Sequence, residues 1–177
     1  MNSRIPPQLD VGKTSESCIS YLHYMYEAQQ KCIDNGEALI TDCAARYVCG
    51  LPVPDFQRPL VWTPHQNIAF IESAWLGISL GTYSHHAIRY QDLGKATHFS
   101  GWLIDGQQRL NAIEQYWNDK FSVFGLKWSE LTNPEKRRFM SVKFVHHEPD
   151  LWSDAKIREA YNRNNFGGTA HNENERA

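Results

Sequence analysis

The sequence feature that most constrains the fold is an abrupt change of character within residues 102–113. An apolar run at positions 102–104 stops at an acid, a glycine, two glutamines and an arginine, and apolar residues then recur at helical spacing at Leu110 and Ile113. A short apolar run, a glycine turn and a helical period predict a strand, a sharp turn and a helix. The helix would begin directly after the turn, which places the polar side chains in its first turn.

The predicted turn has the features of an anion-binding site. The free N–H groups and the positive dipole end of a helix favour a negative charge, and Gly106 lets the backbone come close to it. Arg109 would add a planar, permanently charged donor group that suits a phosphate. Asp105 is an acceptor for a metal ion, for a ribose hydroxyl or for the arginine itself, and the sequence leaves these three partners open.

The same turn has a simpler interpretation, in which it binds nothing. Turns of the type strand–Asp-Gly–helix occur in many α/β proteins without a ligand, where the acid caps the helix. The concentration of polar side chains at residues 107–109, beside so apolar a strand, adds support for the ligand site, and both interpretations stay open at this point.

Three segments together carry a resemblance to a known family. Residues 105–110 read DGQQRL, residues 53–62 read VPDFQRPLVW, and residues 161–169 read YNRNNFGGT. In this order and spacing they resemble the DGQQRL, IPxFQRxYVW and F-R-x-N-x-GG segments of the GmrSD-type N-terminal domain family, part of the ParB/sulfiredoxin-like superfamily. The resemblance covers residues 52–169 and leaves the N-terminal region uncovered.

The resemblance implies a fold class and a domain organisation. We expect a single α/β (α+β) domain of the ParB/sulfiredoxin-like type, with a small mixed sheet flanked by helices. Residues 51–170 would form the nucleotide-binding core, residues 1–50 an N-terminal arm and a helical pair packed on it, and residues 171–177 a flexible tail. A length of 177 residues suits one domain, and we expect no nuclease module within this chain.

The resemblance also implies a ligand, because the relatives bind nucleoside triphosphates with the corresponding strand–turn–helix. We expect the triphosphate to lie among arginines, with Mg²⁺ bound by Asp105 together with phosphates and water. The residues predicted to bind the nucleotide are Gln57, Arg58, Gly106, Arg109, Arg163 and Asn164. The residues predicted for catalysis are Asp105, Gln107, Gln108 and Arg109.

The reaction itself stays open at this point. Hydrolysis would be an in-line attack by water, with either Gln107 or Gln108 orienting that water and with Asp105 and Asp55 as candidates for the general base. One alternative is a DNA nuclease or DNA-binding protein of ParB-like type. Another is a module that binds the nucleotide without chemistry, in a restriction system or as a phage-type anti-defence or regulatory protein, acting on a protein effector or as a homo-oligomer.

The composition limits the kinds of partner and the location that we expect for this protein. The net charge of −2 lacks the excess of Lys and Arg that a general nucleic-acid binder needs, so DNA is not supported as a partner. The four cysteines have neither C-x-x-C nor zinc-ribbon spacing and are predicted to be core thiols. With no signal peptide and no apolar run long enough for a membrane span, we predict a cytoplasmic protein, in the host cytoplasm if it is phage-encoded.

Local patterns predict the remaining elements. Thr14, Ser15 and Ser17 would cap a first helix, a turn would follow at residues 34–36, and a second helix would cover residues 39–48. Thr63 and Pro64 would begin a third helix that ends near Gly77 or Gly81, and Asn133 would begin a short charged one. Strands are predicted at 82–90 and 99–104, as a hairpin around 91–95, and at 139–146, with a final helix from residue 152.

Two pairs of adjacent histidines, at 85–86 and 146–147, invite a metal-site interpretation. Adjacent residues on a strand point to opposite faces, so each pair by itself is a poor chelate. We therefore predict solvent-facing or hydrogen-bonding roles for these four side chains.

Overall fold

The computed structural model describes residues 12–37, 44, 46–89, 97–151 and 153–166. Within them the chain forms five α-helices, a mixed four-stranded sheet and a separate two-stranded sheet. The mixed α/β class predicted from the sequence is therefore confirmed. The ParB/sulfiredoxin-like assignment stays a prediction.

The elements follow the chain in this order: β1 (Lys13–Cys18), α1 (Ile19–Asn35), β2 (Arg46–Val48), β3 (Leu51–Val53), α2 (Pro64–Leu76), β4 (Thr82–His85), β5 (Leu103–Asp105), α3 (Gln107–Trp117), α4 (Asn133–Met140), β6 (Lys143–Glu148) and α5 (Asp154–Phe166). A 3-10 turn covers Trp128–Glu130 before α4. The main sheet has the strand order β1-β6-β4-β5, and β2 pairs with β3.

The structure of residues 13–18 differs from the prediction made for them. Thr14, Ser15 and Ser17 do not cap a helix but lie in β1, which pairs antiparallel with β6. Cys18 is the N-cap residue of α1 and makes no side-chain capping hydrogen bond. The polar stretch has no apolar periodicity of its own, so its strand conformation depends on a partner about 130 residues away in the sequence.

The second N-terminal helix is also corrected where the structure describes it. Residues 46–48 form β2, which turns back into β3 through Cys49 and Gly50, whose φ angles are 49° and 77°. Positive φ at both central residues is typical of a two-residue hairpin turn. Gly50 therefore closes a hairpin and does not end a helix. Residues 38–43 and 45 of the predicted helix lie outside the described residues.

Helix boundaries set by local capping are confirmed. Thr63 caps α2 through a capping box with Gln66, Pro64 is the first helical residue, and Gly77 ends the helix with a φ of 73°. The first helix runs through Asp34 and Asn35 of the predicted turn at 34–36 and ends at Gly36, which has a φ of 65°. Each signal lies within a few residues of the boundary that it sets.

The strands of the predicted hairpin are shorter than expected. β4 and β5 pair antiparallel as predicted, with Ser84 opposite Asp105, while the predicted turn at 91–95 lies outside the described residues. The third predicted strand, at 139–146, begins later, at Lys143, because α4 continues as far as Met140. The final helix is confirmed and begins at Asp154.

The two faces of the sheet lie against different apolar clusters. Leu103 belongs to the main core, which includes buried residues of α2, α3 and α4 such as Ile71, Leu110 and Phe139. The next residue of β5 belongs to a second core formed by Trp102, Ile104, Leu151, Ile157 and Tyr161. Because successive side chains of a strand alternate between faces, β5 packs against an apolar cluster on each side. This packing fixes the position of the turn that follows β5.

Two further predictions concern cysteines and membranes. Cys18, Cys32 and Cys49 are free thiols, and Cys49 is buried; Cys43 lies outside the described residues. In the part of the chain that the structure describes, no helix combines the length and the apolar character needed to cross a bilayer.

Candidate functional site

The strand–turn–helix at β5 and α3 is present as predicted. Gly106 lies between Asp105 and the first residue of α3 with a φ of 97°, in the left-handed region. A Cβ atom at position 106 would lie 2.5 Å from the Cβ atom of Tyr83 on β4. Only glycine avoids both the backbone strain and this contact.

Asp105 does not cap α3. The N-cap residue is Gly106, which offers no side chain, so no side chain caps the first turn of the helix. The carboxylate instead pairs with Arg109 one turn later, with 3.1 Å between Oδ2 and Nη2. Asp105 therefore has Arg109 as a partner, one of the three that the sequence left open, and its side chain leaves the N–H groups at the start of α3 to another acceptor.

The Asp105–Arg109 pair is partly exposed. The side chains of the aspartate and the arginine are 33% and 27% exposed, respectively. Nε of Arg109 is buried and has no hydrogen-bond partner among the described residues. An unsatisfied guanidinium N–H is a donor that an oxyanion can use.

The two glutamines after the turn hold the preceding loop. Oε1 of Gln108 accepts hydrogen bonds of 3.1 Å and 3.2 Å from the backbone N–H groups of Val61 and Trp62, and Nε2 donates 3.1 Å to the carbonyl oxygen of Pro59. Nε2 of Gln107 donates 2.9 Å to the carbonyl oxygen of Arg58. Both side chains are 5% exposed, so their amides form a clamp, here called the glutamine clamp, on residues 58–62.

Arg46 belongs to the site although it lies in none of the three sequence motifs. From β2 its Nη2 atom donates to Oε1 of Gln107 and, at 3.2 Å, to the carbonyl oxygen of Arg58. It therefore extends the glutamine clamp to the β2–β3 hairpin. No local sequence signal marks this role, because its partners lie 12 and 61 residues further along the chain.

Gln57 and Arg58 contribute differently to the site. Gln57 is buried, with Nε2 donating to the carbonyl oxygen of Leu103 and Oε1 lacking a partner among the described residues. Arg58 is exposed, and its backbone N–H donates 3.1 Å to the hydroxyl of Tyr161. Gln57 thus ties the loop to β5, whereas the guanidinium of Arg58 is available at the surface.

These residues surround one cleft. In the described part of the chain it has a volume of about 90 Å³ and is lined by the loop at 57–62 and by residues 105–109, namely Gln57, Arg58, Trp62, Asp105, Gly106, Gln107, Gln108 and Arg109. Sites for drug-sized ligands usually have volumes of roughly 300 to 1,000 Å³. The cleft suits a phosphate group, and the two arginines outnumber its one carboxylate.

Three residues named from the sequence lie outside this lining. Arg163 and Asn164 are exposed on α5, where Arg163 pairs with Glu159 at 3.0 Å. The carboxylate of Asp55 is 77% exposed and lies 3.8 Å from Arg158. The structure therefore brings Gln57, Arg58 and residues 105–109 together around the cleft, whereas Arg163, Asn164 and Asp55 do not line it.

The histidine pairs are distributed as the strand pattern predicts, and all four side chains make hydrogen-bonding contacts, one of the two predicted roles. His85 and His86 are both fully buried on β4 and the residue that follows it. Burial lowers the pKa of His85 below its usual value, so its ring is neutral at pH 7. His85 lies close to His146 and Glu148 of β6, a combination that pairs of sequence neighbours do not reveal.

Comparison with known proteins identifies the family. One family model matches residues 44–176, and its description is GmrSD restriction endonuclease, N-terminal domain. The chain belongs to the GmrSD N-terminal domain family. The family expected from the three motifs is therefore confirmed. No curated protein and no solved structure gives a significant match.

The family match can be placed on the fold. All residues that line the cleft lie within the GmrSD N-terminal domain match, and so do His85, His146 and Glu148. By contrast, β1 and α1 precede the match, although β1 pairs with β6 along its whole length. In this member of the family, residues before the matched region complete the sheet.

Proposed function

We propose that the cleft between residues 57–62 and the start of α3 binds the phosphates of a nucleoside triphosphate. The observation that carries this proposal is the uncapped first turn of α3 beside the Asp105–Arg109 pair. Free helix N–H groups and a positive dipole end attract an anion, and the arginine adds a charged donor group next to them.

Two further features support a phosphate ligand. Arg58 is exposed and lines the same cleft as Arg109, so a second guanidinium is available to the ligand. The cleft volume of about 90 Å³ suits one phosphate group, so the ribose and base would extend beyond the part of the cleft that the structure describes. In this arrangement Arg109 and the helix N–H groups bind the phosphate, and the glutamine clamp fixes the loop that carries Arg58.

The described part of the cleft also offers a ligand for Mg²⁺, but it is a single protein carboxylate. Asp105 is the one carboxylate among the described lining residues. Mg²⁺ commonly uses one or two protein carboxylates together with phosphate oxygens and water, so Asp105 would hold the ion only with the nucleotide present. The ion would supply charge neutralisation on the phosphates.

Hydrolysis is a further hypothesis within this proposal. The amides of Gln107 and Gln108 already hold the backbone of residues 58–62, which favours positioning over the orientation of a water molecule. Asp105 is then the lining residue whose carboxylate can accept a proton from the attacking water. To do so, the carboxylate must first break its ion pair with Arg109. Binding without turnover is therefore the second candidate, and phosphate release separates the two.

The family name suggests the biological setting. It describes the N-terminal domain of a GmrSD restriction endonuclease, and we propose that this chain is the nucleotide-sensing part of such a system. In the alternative proposal, a non-catalytic regulatory or anti-defence module that acts on a protein effector binds the nucleotide in the same cleft. A DNA nuclease is less well supported, because the described lining residues contain a single carboxylate and the net charge is −2.

The test is calorimetric titration of the purified chain with ATP, GTP, CTP and UTP, each with and without Mg²⁺. We expect one nucleotide to bind and Arg109→Ala to weaken it about 10- to 100-fold, since a hydrogen bond to a charged group contributes about 1.5 to 3 kcal/mol. Arg58→Ala should weaken it less, by about 3- to 10-fold, because the side chain is exposed.

The matched control is Arg137→Ala, which removes an exposed arginine from α4, away from the cleft. It should bind like the unmodified chain. Absence of binding for all four nucleotides, or equal losses in Arg109→Ala and Arg137→Ala, would overturn the proposal. Release of inorganic phosphate by the unmodified chain, lost in Asp105→Asn, would select hydrolysis over binding alone.

A further inference from the structure

A second cluster of chemically active side chains lies on the main sheet, at β4 and β6. The two strands are parallel, with Tyr83 opposite His146 and Ser84 opposite His147. This register places His85, His146 and Glu148 on the same face of the sheet. One ligand atom from each of them lies within 4.8 Å of the other two.

The geometry of the cluster is compact. The imidazole rings of His85 and His146 are stacked, with centroids 5.3 Å apart and an interplanar angle of 20°. Oε1 of Glu148 lies 3.2 Å from Nε2 of His146 and 3.7 Å from Nε2 of His85. Both histidine Nε2 atoms therefore face the same carboxylate oxygen.

The tautomer of His85 directs the lone pair of Nε2 into the cluster. Its Nδ1 atom lies 3.0 Å from the carbonyl oxygen of His86, which can only accept, so the ring proton is on Nδ1. Nε2 then carries the lone pair; it is buried and has no hydrogen-bond partner among the described residues. A buried lone pair that faces a carboxylate oxygen is unfavourable unless a cation lies between them.

His146 has a comparable outer contact. Its Nδ1 atom lies 3.4 Å from the hydroxyl of Ser17 on β1, which can accept a hydrogen bond from an Nδ1–H group. Without a metal, Nε2 of His146 donates a 3.2 Å hydrogen bond to Oε1 of Glu148, so its proton is on Nε2; metal binding would move that proton to Nδ1, opposite Ser17, and leave the Nε2 lone pair for the ion. Histidines that bind metals usually donate their other ring N–H to a carbonyl or hydroxyl oxygen in this way.

We propose that His85, His146 and Glu148 bind a divalent transition-metal ion of the zinc class. The ligands would be Nε2 of each histidine and a carboxylate oxygen of Glu148. Two imidazole nitrogens and one carboxylate suit Zn²⁺ and its neighbours, whereas Mg²⁺ and Ca²⁺ prefer oxygen ligands alone. This site shares no residue with the proposed nucleotide cleft and does not depend on it.

The distances are close to those of a bound site. Ligands about 2.0 to 2.1 Å from a tetrahedral ion are roughly 3.3 Å from one another. The 3.2 Å and 3.7 Å distances to Glu148 need shifts of only a few tenths of an ångström, and the two histidine ligand atoms, which lie within 4.8 Å of each other, would move closer together. The side chain of Glu148 is 32% exposed, so the ion can enter from that side, and three protein ligands leave a fourth position for water or another ligand.

The test is Zn²⁺ titration of the tag-free full chain after removal of metals with a chelator, in competition with a chromogenic chelator. We expect one Zn²⁺ per chain. Glu148→Gln keeps the size of the side chain and should bind at least tenfold more weakly, and His146→Gln should bind more weakly still. Co²⁺ added to the unmodified chain should give the intense visible absorption of a tetrahedral site.

The matched control is His147→Gln. His147 is the sequence neighbour of His146, lies on the other face of β6 and contacts the hydroxyl of Thr14 at 2.9 Å. It should bind Zn²⁺ like the unmodified chain. The proposal would be overturned by binding of less than one ion per chain, by equal Zn²⁺ affinity of the unmodified chain and Glu148→Gln, or by an equal loss in His147→Gln. Because Glu148 is partly exposed, its variant decides the question even if His146→Gln does not fold.

Discussion

The carboxylate of Glu114 accepts a hydrogen bond of 2.5 Å from the backbone N–H of Cys49. Glu114 lies on α3, and Cys49 is the first residue of the turn between β2 and β3. The contact fastens the hairpin to the helix whose N-terminus forms the proposed phosphate site. Burial raises the pKa of Glu114 above its usual value of 4.5, although the hydrogen bond from Cys49 lowers it.

We expect Glu114 to make stability depend on pH. An acid with a raised pKa in the folded state binds more protons when folded, so stability falls as pH rises from about 4.5 through the folded pKa. Glu114→Gln keeps an acceptor for the Cys49 N–H and removes this titration. Urea denaturation at several pH values should show that the gain in unfolding free energy from Glu114→Gln is larger at pH 8 than at pH 4. A gain independent of pH would contradict this.

We expect Gly106→Ala to be strongly destabilising. The new Cβ would meet the Cβ of Tyr83 at 2.5 Å and would force a φ of 97° on a residue with a side chain. Strain and overpacking together should cost about 2 to 5 kcal/mol. Gly77→Ala is the matched control, because Gly77 has a φ of 73° with nothing within 4 Å, and should cost only about 1 to 2 kcal/mol. Equal losses in chemical denaturation would show that the contact with Tyr83 is unimportant.

We expect Gln108→Leu to loosen the loop that carries Arg58. The backbone N–H groups of Val61 and Trp62 would lose their acceptor, at a cost of about 1 to 3 kcal/mol. Hydrogen exchange should become faster at these two positions, with the N–H groups of α4 as an internal reference. If exchange stays slow while nucleotide binding persists and phosphate release stops, Gln108 acts on the attacking water and not on the loop.

We expect Arg163→Ala to affect nucleotide binding less than Arg58→Ala. Arg163 is exposed on α5 and pairs with Glu159, whereas Arg58 lines the cleft. Calorimetric titration should give less than about a threefold change in affinity for Arg163→Ala, the size expected of an exposed ion pair. A loss as large as that of Arg109→Ala would show that α5 contributes to the bound state and would support the role implied by the family resemblance.

Much of the candidate site could be predicted from the sequence, because its central part is one continuous segment. Asp105, Gly106 and Arg109 lie within five residues, and the strand before them and the helix after them follow from apolar periodicity. Gln57 and Arg58 were found through the family motif alone, since a loop without periodicity carries no local signal of where it packs.

The functions of the two glutamines could not be predicted in the same way. A polar side chain at the start of a helix can face a ligand or a neighbouring loop, and its partners decide which. Gln108 contacts residues 46 to 49 positions earlier in the chain, and no short-range pattern encodes such a contact. The same holds for Arg46, whose neighbours in the sequence gave no indication of its role.

The sequence by itself determined the mixed fold class, the family, the strand–turn–helix at 102–113 and the capped ends of α2, because capping, glycine turns and periodicity act over a few residues. Only the tertiary structure decided that β1 pairs with β6, that the glutamine clamp holds residues 58–62, and that His85 meets His146 and Glu148. These contacts join positions 46 to 135 residues apart, and they exist only once the sheet has assembled.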